Sequence, residues 1–229
     1  MMQKTILLNW KSNKNIIEAE YWVNNFPKDL LLKHPGIKLL IAPPYPFLSQ
    51  MKRLIDHQHL PISLAVQDIS AYGSGAYTGE VSVKNLEFLG VEAAIIGHSE
   101  RRRLFHENSQ LIAGKVQKAI EANLDVVLCL DETDFPEQAK LLTNSEKAKI
   151  SIAYEPIAAI GSGQAVKTIL VEKFFTKLRQ HFPHNPLIYG GSVNANNIND
   201  FLAISDGVLV SSAALELADL LILIQAIAD

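Results

Sequence analysis

Glu155 occupies a place in the chain where a carboxylate can do chemistry. The stretch Ile152-Ala153-Tyr154-Glu155-Pro156-Ile157-Ala158-Ala159-Ile160-Gly161-Ser162-Gly163 opens as a strand, with Ile150 and Ile152 alternating with Ser151 and Ala153. Pro156 ends the run and keeps Glu155 extended, because the proline Cδ clashes with an α-conformation at the residue before it. The carboxylate therefore stands at the carboxyl end of an apolar strand, where water is scarce. Gly161-Ser162-Gly163 follows, a turn that can hinge and can bring backbone N–H groups close to an anion. A base, an apolar loop and an anion-binding glycine turn, in that order, predict proton abstraction from a small phosphorylated compound. A buried glutamate in an ordinary turn is the plainer reading of the same residues.

Three other places bear on that chemistry. His98 lies where the run Val91–Gly97 turns into a helical pattern. Backbone N–H groups and the helix dipole there disfavour imidazolium, leaving a neutral ring that can hydrogen-bond a carbonyl; a histidine that only caps the helix is the alternative. Lys11, just past Asn9 and Trp10, could hold a phosphate or stabilise an enediolate, or be a surface lysine. Gly190-Gly191-Ser192 lets the backbone approach an anion and adds a donor where a helix starts; a plain turn is the alternative.

The elements that must position these residues alternate along the chain. Strands are predicted at 5–9, 38–42, 62–67, 91–97, 126–130, 150–154, 187–189 and 207–210. Helical patterns follow near 16–25, 47–57, 81–89, from 98 to about 122, 137–143, 166–181, 195–204 and 215–228. Eight such units without a Ser/Pro-rich linker predict a single α/β domain over residues 1–229, a (β/α)8 barrel of parallel strands ringed by helices. An open doubly wound sheet is the main alternative, but neither Gly73/Gly75 nor Gly161/Gly163 completes a dinucleotide fingerprint. In a barrel, catalytic groups project from the carboxyl ends of strands. Those ends carry Asn9 and Lys11, Gln67, His98, Cys129, Glu155, Gly190–Ser192 and Ser211-Ser212.

Composition narrows the function classes. Of 229 residues, 48% are hydrophobic, and the net charge of −3 implies no general polyanion-binding surface. The run Arg101-Arg102-Arg103 reads as a solvated helix face rather than a nucleic-acid contact. One cysteine, Cys129, excludes an internal disulfide and a cysteine-based metal cluster, and fits a reducing compartment. The three apolar residues before Asn9 are too few for a signal-peptide core, and no apolar run approaches the ~18–20 residues of a membrane span. A cytoplasmic protein is expected.

Taken together, Asn9-Trp10-Lys11, Gly75-Ala76-Tyr77-Thr78-Gly79-Glu80, Gly97-His98-Ser99-Glu100-Arg101-Arg102, Ala153-Tyr154-Glu155-Pro156, Ile160-Gly161-Ser162-Gly163 and Tyr189-Gly190-Gly191-Ser192-Val193 resemble the triosephosphate isomerase family over nearly the whole chain. The resemblance implies the pairing of a glutamate base with a neutral histidine. The resemblance implies that Glu155 moves a proton between the carbons of dihydroxyacetone phosphate and glyceraldehyde 3-phosphate. It implies that His98 polarises the carbonyl, that Lys11 supplies positive charge and that Asn9 orients the substrate. Gly161, Ser192, Ser211 and Ser212 would hold the phosphate. Pro156, Ile157, Ala158, Ala159, Ile160, Gly161, Ser162, Gly163 and Gln164 would close as a lid. No metal or organic cofactor is implied. The loop Tyr72–Thr78 would dock into a second copy, making a homodimer.

The chain departs from the family pattern at four places. Ala158 stands where the family's lid has a tryptophan. Asp131 stands in Cys129-Leu130-Asp131-Glu132 where the family has glycine. The segments between Cys129 and Glu155 and between the lid and Tyr189 are short. Ser211-Ser212 replaces a Gly-Gly pair at the phosphate turn. Competing readings are a sugar-phosphate aldolase and a weakened paralogue that binds a sugar phosphate without efficient turnover. A Schiff-base aldolase needs an interior strand lysine, which strands five to seven lack, and retention of Asn9, Lys11, His98 and Glu155 argues against a weakened paralogue.

Overall fold

A computed structural model describes residues 3–157 and 164–227. The strands are β1 (Lys4–Asn9), β2 (Ile37–Ala42), β3 (Ile62–Val66), β4 (Val91–Ile96), β5 (Asp125–Leu130), β6 (Ile150–Tyr154), β7 (Leu187–Tyr189) and β8 (Gly207–Val210). Each pairs in parallel with the next, and β8 returns to β1 with Leu209 opposite Leu7, which closes the barrel. The helices are α1 (Ile16–Asn24), α2 (Leu30–Lys33), α3 (Leu48–Gln58), α4 (Ser99–Leu104), α5 (Ser109–Glu121), α6 (Phe135–Leu141), α7 (Asn144–Lys147), α8 (Thr168–Arg179), α9 (Ile198–Ile204) and α10 (Leu217–Gln225).

The period of two along each strand explains the two cores. Leu7, Leu40, Ala65, Ala93, Val127, Ala153, Ile188 and Leu209 meet inside the barrel. Their neighbours, such as Ile6, Leu39, Leu64, Ala94, Leu128 and Val208, join the helices in an outer core. With both faces covered, the strands read as near-continuous apolar runs, as parallel strands must. Trp10, Trp22 and Phe26 tie α1 to the strand β1 through an edge contact at 5.4 Å and a stack at 5.5 Å. Asn15 and Glu18 form a reciprocal capping box that fixes where α1 starts.

The structure corrects several expected elements. The long helix expected from 98 to 122 is two helices. His106 takes a left-handed φ of 56°, Asn108 caps α5 through Leu111 N–H, and Glu107 turns inward to meet Arg101 and Lys115. A buried ion cluster thus breaks what periodicity reads as continuous. The helix expected near 81–89 is only a 3₁₀ turn over Val83–Leu86, ended by the left-handed residues Phe88 and Gly90. The helix expected over 195–204 begins at Ile198, because Asn194 and Asn197 hold a turn in front of it. The helix expected from Leu215 begins at Leu217, after a separate 3₁₀ turn over Ser212–Ala214.

Candidate active site

The carboxyl ends of the strands open onto a cavity of about 500 Å³, lined among others by Asn9, Lys11, His98, Glu155, Ser192, Ser211 and Ser212. Glu155 reaches it because the sheet ladder carries past the end of β6: Glu155 N–H donates to Leu130 O at 2.9 Å, and Gly190 N–H donates to Tyr154 O at 2.8 Å. The backbone direction of Glu155 is thereby set by β5 and β7. Its side chain is buried, with one oxygen accepting from Ser99 N–H at 2.8 Å and the other 3.0 Å from His98 Nε2. A Cβ on Gly190 would lie 3.0 Å from Glu155 Cγ and 3.2 Å from Tyr154 O, so glycine leaves the room the carboxylate uses.

His98 works at both ends of its ring. Its Nδ1 accepts from Glu100 N–H at 3.3 Å and so caps α4, which leaves Nε2 to face Glu155. The histidine that caps α4 is thus the one that faces Glu155. Burial works to lower the histidine's pKa, but the charge and hydrogen bond of Glu155, with Glu100 behind, outweigh it and hold the imidazole above its ordinary value. Burial likewise works to raise Glu155, and the His98 charge and bond with the Ser99 amide hold it below. This corrects the expectation that amides and the helix dipole alone keep the ring neutral. The dipole of the six-residue α4 is small, and a carboxylate at 3.0 Å works against it.

Lys11 is held from three sides. Its backbone is left-handed at φ 51°, unusual for a residue with a Cβ. Its N–H donates to Asn9 Oδ1 at 2.9 Å, its carbonyl accepts from Gln67 Nε2 at 2.8 Å, and its ammonium lies 2.8 Å from Glu100 Oε1. Gln67 also donates to Ala42 O at 2.9 Å, so it staples β2 to the Lys11 turn.

The phosphate turns divide. Gly190, Gly191, Ser192, Ser211 and Ser212 line the cavity, and Gly161 lies outside the described residues. Ser211 has φ −126° and ψ −94°, and neither it nor Ser212 has a positive φ. Neither serine takes the left-handed backbone that glycine adopts freely, so a positive φ does not call for glycine here. The amides of Ser211, Ser212 and Ala213 make no hydrogen bond among the described residues. The expected continuous helix after the serines is absent, however, so this turn offers local N–H groups and not the dipole of a long helix. Of the lid stretch, Pro156 is buried and Ile157 and Gln164 are exposed; Ala158, Ala159, Ile160, Gly161, Ser162 and Gly163 lie outside the described residues.

Sequence reasoning missed four residues. Ser99 supplies the amide that holds Glu155, and Glu100 holds Lys11 and caps against His98. Both sit in the Gly97–Arg102 motif, but no spacing rule reveals their partners. Arg101 and Arg102 are not the solvated face that the run of three suggests. Arg101 joins Asp68 and Glu107, and Arg102 donates to the carbonyls of Gly97 and Cys129 and to Gln138. Of the three, Arg103 alone is exposed. The loop Tyr72–Thr78 is exposed along its length, with Tyr72 and Tyr77 stacked at 4.5 Å and each close to half exposed.

Comparison with known proteins bears on the whole chain. The family model for triosephosphate isomerase matches residues 4–227. A triosephosphate isomerase of Polynucleobacter asymbioticus is 33% identical, with 96% of this chain and 98% of that protein covered. One from Chlamydia muridarum is 34% identical, covering 96% and 90%. One from Mesomycoplasma hyopneumoniae is 34% identical, covering 94% and 96%.

Proposed function

The chain belongs to the triosephosphate isomerase family and interconverts dihydroxyacetone phosphate and D-glyceraldehyde 3-phosphate, and we propose that Glu155 is the base that moves the proton. The observation that supports this assignment is the buried Glu155 carboxylate, 3.0 Å from His98 Nε2 in the same cavity as Lys11 and Asn9. In dihydroxyacetone phosphate, Glu155 takes a proton from the hydroxyl-bearing carbon beside the carbonyl. The C–H electrons form the carbon–carbon double bond, and the carbonyl electrons move to oxygen. His98 Nε2–H bonds that oxygen as its charge grows and then shuttles the proton between the two oxygens. Glu155 returns its proton to the other carbon, giving the aldehyde. Lys11 lowers the energy of the enediolate by its charge, and Asn9 orients the substrate.

His98 Nε2 faces Glu155, so a substrate carbonyl must take that contact over. Binding therefore exchanges the Glu155–His98 contact for two contacts to substrate, and frees the carboxylate to act. Ser192, Ser211 and Ser212 hold the phosphate with neutral donors, and Lys11 is the cation beside them. Gly161 and the closure of Pro156–Gln164 over the site belong to the same reading, supported by family membership alone. No metal or organic cofactor enters this scheme. The exposed Tyr72–Thr78 loop supports a homodimer in which Thr78 approaches the partner's site, since an aromatic pair left in water gains nothing from burial. A single buried cysteine supports a cytoplasmic location.

The test is a coupled assay of purified protein with glyceraldehyde 3-phosphate, beside a thermal shift with a phosphorylated enediolate analogue. Turnover in the wild type and its loss in Glu155→Gln, with the analogue still bound, is the expected result. Binding without turnover in the wild type would instead support the weakened paralogue.

A further inference from the structure

Outside the cavity, the buried charged side chains of Asp68, Glu107 and Lys115 gather around Arg101. Asp68 Oδ2 lies 2.7 Å from Arg101 Nε and 2.5 Å from Lys115 Nζ. Glu107 Oε1 takes the same two cations, at 2.6 Å from Arg101 Nη2 and 2.5 Å from Lys115. Two carboxylates and two cations close a neutral cluster between the end of β3, α4 and α5. Tyr45 adds a bond from its hydroxyl to the Asp68 carbonyl.

The place of this cluster in the chain gives it a consequence. Asp68 follows Gln67, which holds the Lys11 carbonyl, and Arg101 follows Glu100, which holds the Lys11 ammonium. A single carboxylate oxygen therefore joins the two segments that grip Lys11 from opposite sides. We propose that Asp68 is a positioning residue for Lys11, fixing the spacing between Gln67 and Glu100 so that the ammonium stands where the substrate's negative charge must sit. The inference rests on the role proposed above for Lys11.

Two physical points support it. Lys11 holds a left-handed backbone that its own side chain disfavours, so external tethers are needed. Asp68 is buried, and desolvation outweighs Lys115 and Arg101 to push its carboxyl up to about 6, with Glu107 adding to the rise. An ionised group held against its own desolvation is weak evidence of stabilisation, and is better explained by the geometry it enforces.

The experiment is a double-mutant cycle. Asp68→Asn keeps the shape and removes the charge. The expected result is a rise of about fivefold to tenfold in both KM and the inhibition constant of inorganic phosphate, with an unchanged circular dichroism spectrum; a misplacement near 1 Å can cost about 10²-fold, so this is a moderate displacement. In a Lys11→Met background the same change moves KM by less than about twofold, because the group being positioned is gone. A purely structural role gives additive losses, and additivity overturns the proposal, as do wild-type constants in Asp68→Asn. If Lys11→Met alone leaves KM and phosphate inhibition unchanged, the role of Lys11 fails and takes this inference with it. Should Asp68→Asn not fold, Asp68→Glu carries the same cycle, since it keeps the charge and displaces it by one methylene.

Discussion

Glu155 and His98 are a pair in which each partner sets the other's charge. Replacing Glu155 by Gln keeps an acceptor for Ser99 N–H but removes the proposed base. It is expected to lower kcat by about 10²–10⁴-fold with KM within a few-fold; near wild-type turnover would remove Glu155 from the mechanism. His98→Gln is expected to lower kcat severely and to change the pattern of solvent proton exchange into product. Asp68 gives a prediction of a different kind. Its folded value of about 6 lies above the ordinary 3.8, so the folded chain holds this proton more tightly than the unfolded chain. Its contribution to stability is complete below 3.8 and is lost as pH rises through about 6. At most about 3 kcal/mol is involved, from roughly 1.36 kcal/mol per unit. Thermal melts from about pH 4 to 7 should show the wild type losing stability relative to Asp68→Asn as pH rises. A parallel pair of curves would show that Asp68 does not titrate in this range. Glu155, His98 and Lys11 were legible because proline, strand ends and turn glycines are local signals. Asp68, Glu107 and Lys115 were not, because three charges spread over some fifty residues of sequence meet only when β3, α4 and α5 pack.

At the scale of elements, the turn after β8 carries the sharpest departure from the family pattern. Both serines have negative φ, so the turn does not need the left-handed backbone for which glycine would be favoured. The double change Ser211→Gly, Ser212→Gly is therefore expected to alter kcat/KM by no more than a few-fold. A gain above tenfold, about 1.4 kcal/mol, would show that the serines damage the site. The opposite holds at Gly190. There a Cβ meets Glu155 Cγ at 3.0 Å, and Gly190→Ala is expected to lower kcat at least tenfold while the barrel still folds. Wild-type kcat in that variant would mean that the carboxylate has slack. The break between α4 and α5 teaches the same lesson from another side. Helical periodicity runs through 98–122, but Glu107 is drawn to Arg101 and Lys115, and a tertiary ion cluster overrides the local preference.

For the whole molecule, the closed barrel removes every strand edge, and the stacked pair Tyr72 and Tyr77 stands out on the exposed Tyr72–Thr78 loop. A homodimer is the expected state at micromolar concentration by sedimentation, and Tyr72→Ser with Tyr77→Ser is expected to shift it toward monomer with loss of activity. A wild-type monomer of full activity would overturn the assembly.

The sequence by itself determined the order of eight strands, the barrel they make, and the strand-end position of each residue proposed for catalysis. It could do so because apolar period, proline and glycine act over a few residues. Tertiary structure alone decided the rest. It decided that Glu155 rests on His98 and Ser99, that Lys11 is gripped by Gln67 and Glu100, and that Arg101 faces inward. Such contacts form between segments tens of residues apart, where burial strengthens each charge and no local pattern records the partner.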